Sequence, residues 1–429
     1  MFRASFISLF TLSLASVFAQ QSLSLEAALD LAKRRNGTII AAQRQVDAAR
    51  ARVNQARSAF LPTLTPSFSY SDSKTELNTG APVSPFTTIR SGTTSEITAA
   101  WKVLDSGTRG LTFLSARKGY DAEFLDATQT LRSTLFDVFT QYYEVIRGQE
   151  LLKVSEAQID RAEKSVKQTE AQIKVGDAAE KDIYQPRADF LNAKVQLLTN
   201  RNRLAKSIAD FKAALGWDDQ EPLPALEPSS RPVPEPLNDR ASLVKEGLGN
   251  RADLAAQRLR LDQQVVGLRR TKLDAGIQFS LDLSLTKTFG QDNSNDRLLT
   301  FSASAPLFDG HRSKEAIKEG EANLRASEST LKQQERSVRA AIESAYDEVS
   351  LNAERLEAAE KALEAARINY QKTDRAKELG AAGVDVVTLS VAQVTLAQAE
   401  NAYVEAIYDY YISRERLGFV VGRPVRGEG

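Results

Sequence analysis

The sequence predicts a mainly α protein that carries a transmembrane β-barrel and is built as an internal tandem repeat. Three observations lead there. Long stretches rich in Ala, Gln, Glu and Arg have helical periodicity and strong intrinsic helix preference. Four short segments between them alternate apolar and small polar residues with a period of two. The same order of segments is written twice.

The first segment, MFRASFISLFTLSLASVFAQ, has Arg3 near its start, an apolar run from Phe6 to Val17 and a plausible cut after Ala19. Residues 1–19 read as a secretory signal, because the run is short of the roughly 20 residues that a membrane-spanning helix needs. The mature chain is expected to leave the cytoplasm. Without cysteine after the cut, no N-terminal lipid anchor is expected. No other stretch approaches the length and hydrophobicity of a transmembrane helix, so entry into a membrane would have to be by strands.

The first repeat spans residues 20–216. A helix from about Ser24 to Ala59 is stopped by Pro62. The strand that follows sets Leu64, Pro66, Phe68 and Tyr70 on one face and Thr63, Thr65, Ser67 and Ser69 on the other. Across a Gly/Pro/Thr-rich loop, Ile97, Ala99, Trp101 and Val103 alternate with Glu96, Thr98 and Lys102. A very long helix, about Gly107 to Lys174, then carries one large apolar residue every seventh position: Phe124, Leu131, Val138, Val145, Leu152, Ile159, Val166 and Ile173. Small residues such as Gly148, Ser155 and Ala162 stand three places after members of that column, and such a repeat demands a coiled-coil partner.

Residues 217–238, WDDQEPLPALEPSSRPVPEPLN, hold prolines that forbid regular helix and read as a linker. The second repeat, 239–422, returns to the same plan, and 423–429 form a tail. NRADLAAQRLRLDQQ from Asn250 answers NGTIIAAQRQVDAAR from Asn36, LFDGHRSK answers VLDSGTRG, and ELGAAGVD answers KVGDAAEKD. Its strands are IQFSLDLSLTKTF (277–289) and LLTFSASAPLF, the latter with Leu299, Phe301, Ala303 and Ala305 on one side. Ile342, Val349, Leu356, Leu363 and Tyr370 renew the heptad column.

A helix of roughly 65 residues runs about 100 Å, and the two flanking helices of each half, laid end to end, have the same length. Four one-sided strands leave both sheet edges unpaired, so they must close by oligomerising. Two protomers give eight strands and a filled barrel; three give twelve and a lumen lined by the Ser, Thr, Gln and Asp faces. Strands of this length, tilted about 45°, cover roughly 25 Å, the height of an outer-membrane apolar band. Trp101 near the stalk, and Tyr70 and Phe289 near the loops, suit its aromatic girdles.

Balanced charge, 56 basic against 56 acidic residues, offers no basic face to nucleic acid. No cysteine, one histidine and one methionine leave no metal-ligand cluster, and neither a metal nor a cofactor is expected. His311 follows FDG with no serine or carboxylate constellation around it. It reads as a surface residue at a helix start, and no catalytic residue is assigned. The rival class is a non-conducting structural coiled-coil protein of the cell envelope. That protein would extract into water, whereas a barrel needs detergent and gives heat-modifiable trimers.

The opening LSLEAALDLAKRRN, the run AARARVNQARSAFLPTLTPSFSY, the LFDG after the last strand and the closing YDYYISRERLGFVVG resemble the TolC-type outer-membrane efflux proteins, over nearly the whole mature chain. The resemblance implies a homotrimer whose twelve-stranded barrel in the outer membrane of a Gram-negative-type bacterium continues into an α-helical periplasmic tunnel. It implies an exit duct that serves an inner-membrane pump or an ABC secretion transporter through a periplasmic adaptor. It further makes Val175, Gly176, Leu379 and Gly380 the adaptor-contact tips, the linker part of an equatorial belt, and Asp385 and Asp182 the residues of the entrance gate. Asp385 matches a family aspartate that forms an acidic ring round the axis; the other reading is that both aspartates cap the helices that follow. Two departures are visible: Thr388 stands where some relatives place a second acid, and Ala381 and Ala382 where an arginine can latch neighbouring helices. A weakly latched gate, with Asp385 its main electrostatic element, is therefore expected.

Overall fold

Ser24 accepts a hydrogen bond from the Ala27 amide and opens the first helix. The computed structural model describes residues 22–77, 86–217, 222–227, 231–289, 293–379, 383 and 385–427. Residues 1–19, expected to be a signal, lie outside the described residues. Element order is α1 (Leu25–Arg35), α2 (Gly37–Ser58), β1 (Thr63–Leu77), β2 (Phe86–Leu104), α3 (Thr108–Val175), a 3-10 turn (Glu180–Ile183) and α4 (Tyr184–Leu215). After the linker come α5 (Arg240–Asn250), α6 (Ala252–Asp274), β3 (Gln278–Phe289), β4 (Ser294–Ser304), α7 (Arg312–Glu378) and α8 (Val386–Val421). The chain is mainly helical with one small sheet.

The expected single helix from Ser24 to Ala59 is two helices. Asn36 breaks it: its side-chain oxygen accepts from the Thr38 amide at 2.8 Å and caps α2, while Nδ2 donates to Ala214 O at 2.7 Å. The end of α4 thus abuts the α1–α2 junction. In the second half, Arg251 separates α5 from α6 and donates Nη1 to Val420 O, at the end of α8, at 2.9 Å. The end-to-end laying of the flanking helices is realised at these two junctions. Each depends on a left-handed glycine that lets backbones touch: a Cβ on Gly216 (φ +67°) would lie 2.6 Å from Arg35 O, and one on Gly422 (φ +80°) 3.2 Å from Arg251 Cα.

The apolar core sits at these junctions, half-way along the stalk. One cluster gathers Leu29, Leu135, Phe139, Tyr142, Phe211 and Leu215; the other gathers Leu243, Leu254, Ile342, Val349, Tyr410 and Val421. Burial of each large side chain contributes about 1.5–3 kcal/mol. The linker is tied to the first cluster: Leu226 is buried in it, the Leu23 amide donates to Ala225 O at 2.7 Å, and Tyr142 Oη donates to Leu23 O at 3.1 Å. Towards the C-terminal end of α3 the buried positions are Ser155, Ala162, Ser165 and Thr169, while Leu152, Ile159, Val166 and Ile173 are only half-buried. Within one protomer the small column therefore faces the close partner, α4. At Gly148 even a Cβ would sit 3.1 Å from the Leu204 side chain. The large column is left on the flank.

The sheet is antiparallel throughout in the order β1-β2-β3-β4. β1 and β4 are its edges, with no partner strand among the described residues. β4 starts at Ser294, earlier than the Leu298 expected, and stops at Ser304, before Ala305. Pro306 has no amide hydrogen for the ladder, which ends the strand. Arg109 fastens sheet to stalk: Nε pairs with Asp105 Oδ2 at 2.9 Å, Nη1 donates to Ala59 O at 3.2 Å, Nη2 donates to Val103 O at 3.1 Å, and the guanidinium lies 5.0 Å from the Phe60 ring.

Candidate lumen wall and stalk tip

The register sorts the strands into two faces. Thr98 stands opposite Thr286 with hydroxyls 3.2 Å apart, and Ser280 opposite Ser302 with hydroxyls 2.7 Å apart. The same face holds Glu96, Lys102, Asp282 and Asp296, with Lys102 directly across from Asp282; Leu298 is its large apolar exception. On β3 the polar residues from Gln278 to Thr288 are all half-buried, whereas Leu285, Lys287 and Phe289 are exposed. The sheet therefore curls with its polar side on the concave face.

Leu64, Phe68, Ile97, Trp101, Leu299 and Phe301 crowd the convex face, each more than 40 % exposed. The three expected girdle residues lie on it. Trp101 is anchored at the stalk end by its indole N–H, which donates to Phe60 O at 3.1 Å. Tyr70 is exposed at the middle of β1, not near the loop as expected, because the β1–β2 pairing continues to Leu77; Phe289 ends β3 with the Lys287 ammonium 5.1 Å from its ring. Trp101 and Tyr70, each with an apolar body and one polar handle, suit a membrane interface.

At the far end of the stalk, Gly176 (φ +86°) closes α3 with its amide donating to Ile173 O, and the Asp177 amide donates to Gln172 O. Val175 and Leu379 project there, 72 % and 77 % exposed. Gly380, Ala381 and Ala382 lie outside the described residues. Asp182 accepts from the Ala179 amide at 3.1 Å and so caps its own turn. Asp385 is the N-cap of α8: its Oδ1 accepts from Thr388 Oγ1 at 2.7 Å and from the Thr388 amide at 2.8 Å, which holds its carboxyl below the usual carboxylate value. Thr388 is thus its capping partner. Asp385 thus caps the helix that follows it, whereas Asp182 only closes its own 3-10 turn: the following helix α4 has Ile183 at its N-cap, with no side-chain cap.

Asp385 alone does not carry the charge at this end. Lys164 of α3 lies 3.7 Å from Asp374 and 3.4 Å from Glu378 on the last turns of α7, and these carboxylates raise its pKa, Asp374 foremost. Sequence reasoning missed this cross-link, since nothing in the local pattern of α3 and α7 tells which of their many charges meet. Next to it, Lys377 is half-buried with its Nζ shielded from solvent and without a hydrogen-bond partner among the described residues; burial pushes its pKa down, opposed by Asp374 and Asp385. Further up, Arg161 of α3 pairs with Glu400 of α8 at 2.6 Å.

Among the described residues no cluster could hold a metal ion, and no helix is long and apolar enough to cross a membrane. His311 caps α7 in a left-handed conformation, its ring edge-on to Phe308.

A long helical stalk bearing a small, two-faced antiparallel sheet is a fold shared with solved outer-membrane channels. The outer-membrane channel OprN superposes with a TM-score of 0.82 over 93 % of this chain and 90 % of its own, at 19 % identity. The Campylobacter jejuni CmeC outer membrane channel does so with a TM-score of 0.83 over 94 % and 87 %, at 15 % identity. In sequence, the outer membrane protein TolC of Escherichia coli (strain K12) is 24 % identical over 401 residues, which covers 88 % of this chain and 77 % of TolC. The family model for outer membrane efflux proteins matches residues 28–217 and again 243–423. The chain belongs to the outer membrane efflux protein family.

Proposed function

We propose that this protein is the outer-membrane exit duct of an export machine, a homotrimer that conducts substrate passively from an inner-membrane transporter to the outside. The observation that carries this reading is the sheet: both edges open among the described residues, one face mostly Ser, Thr and acids, the other apolar except towards the loops, mounted on a stalk of about 100 Å. Three copies would pair β4 of each with β1 of the next into twelve strands, with the polar face as lumen and the apolar face against outer-membrane lipid. The α3, α4, α7 and α8 segments would continue the duct through the periplasm, with Leu152, Ile159, Val166 and Ile173, the half-buried part of the α3 heptad column, serving contacts between copies. Residues 1–19 would be the cleaved signal, 20–216 and 239–422 the two repeats, 217–238 the equatorial linker and 423–429 the tail. The tips at Val175, Gly176, Leu379 and Gly380 would meet a periplasmic adaptor, and selection of cargo would rest with the pump or ABC secretion transporter behind it.

In this reading Lys164 with Asp374 and Glu378 is a latch inside each protomer, and Asp385, tripled round the axis, with Asp182 beside it, supplies acidic charge to the entrance. Single-channel recording of the detergent-purified protein in a planar bilayer tests both. Wild type is expected to pass a small cation-selective current that a multivalent cation on the periplasmic side blocks, Asp385→Ala to lose the block, and Lys164→Ala to conduct more. A water-soluble protein with no current would return the case to a structural rod.

A further inference from the structure

Strand parity sorts charge as well as polarity. The convex face of β3 runs Phe279, Leu281, Leu283, Leu285, Lys287, Phe289, and the matching face of β4 runs Ala303, Phe301, Leu299, Arg297, Asn295. Two cations, with Asn295 beside them, thus interrupt the apolar residues of this face, both towards the loop end. Leu285 stands directly opposite Arg297 and Lys287 opposite Asn295, so Lys287 and Arg297 are diagonal neighbours on one face. Both side chains are exposed, and among the described residues neither is paired with a carboxylate. The acids of these strands, Asp282 and Asp296, are on the concave side.

Depth explains how such a pair is tolerated. Lys287 lies eight residues beyond Phe279 on β3, about 19 Å up a strand that rises ~3.3 Å per residue at a tilt of ~45°. That is near the upper rim of an apolar band about 25 Å high. A cation at the middle of the band is strongly disfavoured, whereas one near its rim can extend its stem along apolar surface and put its head among the lipid headgroups. The Arg fork matches two phosphate oxygens and the Lys ammonium adds a point charge beside it. The Phe289 ring under Lys287 holds that ammonium on the convex side.

We propose that Lys287 and Arg297 form a site for the headgroup of an outer-leaflet lipid that bears phosphate monoesters. Two adjacent cations favour a doubly charged monoester over the single charge of a phosphodiester. The site rests on the barrel reading above and adds a ligand to its lipid-facing wall.

The full chain, reconstituted in phosphatidylcholine nanodiscs doped with diphosphoryl lipid A or with phosphatidylglycerol, is released into native mass spectrometry and its retained lipid counted. Wild type is expected to retain lipid A in preference to phosphatidylglycerol, and Lys287→Gln/Arg297→Gln to retain roughly tenfold less of it. Lys102→Gln, which removes a cation from the concave face, should leave retention unchanged. Equal retention by wild type and the double variant overturns the site alone, as does an equal loss in Lys102→Gln. Phosphatidylglycerol held as well as lipid A overturns the monoester assignment. Protein that never enters the bilayer overturns the barrel reading and the site with it.

Discussion

Asp385 serves a local need whatever its part in the proposed entrance. Its carboxylate satisfies the Thr388 amide and hydroxyl, two donors that the first turn of α8 would otherwise leave to water. Because these bonds lower its folded pKa, the stabilisation is full above the ordinary value of 3.8 and is lost as pH falls through the lowered folded value. Protection of the Thr388 amide in hydrogen exchange, corrected for intrinsic rate, should vanish in Asp385→Ala and fade in wild type only in strong acid. Equal protection in the two proteins would sink the cap. The aspartate and its place at a helix start were legible in the sequence. Its partner was not: Thr388 reads as the loss of an acid until the hydroxyl is seen to donate. The same holds for Lys164, whose exposed helix position is ordinary in sequence and acquires meaning only when the end of α7 lies beside it.

The strands were legible because period two is a strong signal and four segments share it. The long helices were legible because a heptad column spans each of them. What the sequence hid was where the flanking helices break. Asn36–Gly37 and Gly249–Asn250, the latter next to Arg251, are weak breaker signals, and the breaks become definite only where the ends of α4 and α8 arrive from far along the chain. Gly216 is the corresponding weak point. In Gly216→Ala the new methyl would meet the Arg35 carbonyl and keep an unfavourable left-handed backbone, a cost of about 1–2 kcal/mol for the conformation before any clash. Thermal unfolding of the detergent-solubilised protein should show a lowered midpoint for this variant. Gly37→Ala, whose Cβ would meet open space, should not lower it; a midpoint unchanged in Gly216→Ala would show that the α4–α1 junction yields freely.

For the whole molecule, the register sorts Glu96, Asp282 and Asp296 to the concave face together with Lys102, and in the proposed barrel these acids would lend the lumen negative charge. Neutralising the three acids together (Glu96→Gln, Asp282→Asn, Asp296→Asn) should lower the cation-to-anion permeability ratio roughly twofold or more, read as a reversal potential in a salt gradient. An unchanged potential would place selectivity wholly at the stalk tip. The open edges at β1 and β4 have a consequence for inheritance. Since each copy would lend one edge to each neighbour, a copy that folds its stalk but spoils its hairpins would ruin every assembly it joins. A cell that makes sound and spoiled chains equally would keep only about one intact trimer in eight, so such an allele would act as a dominant one.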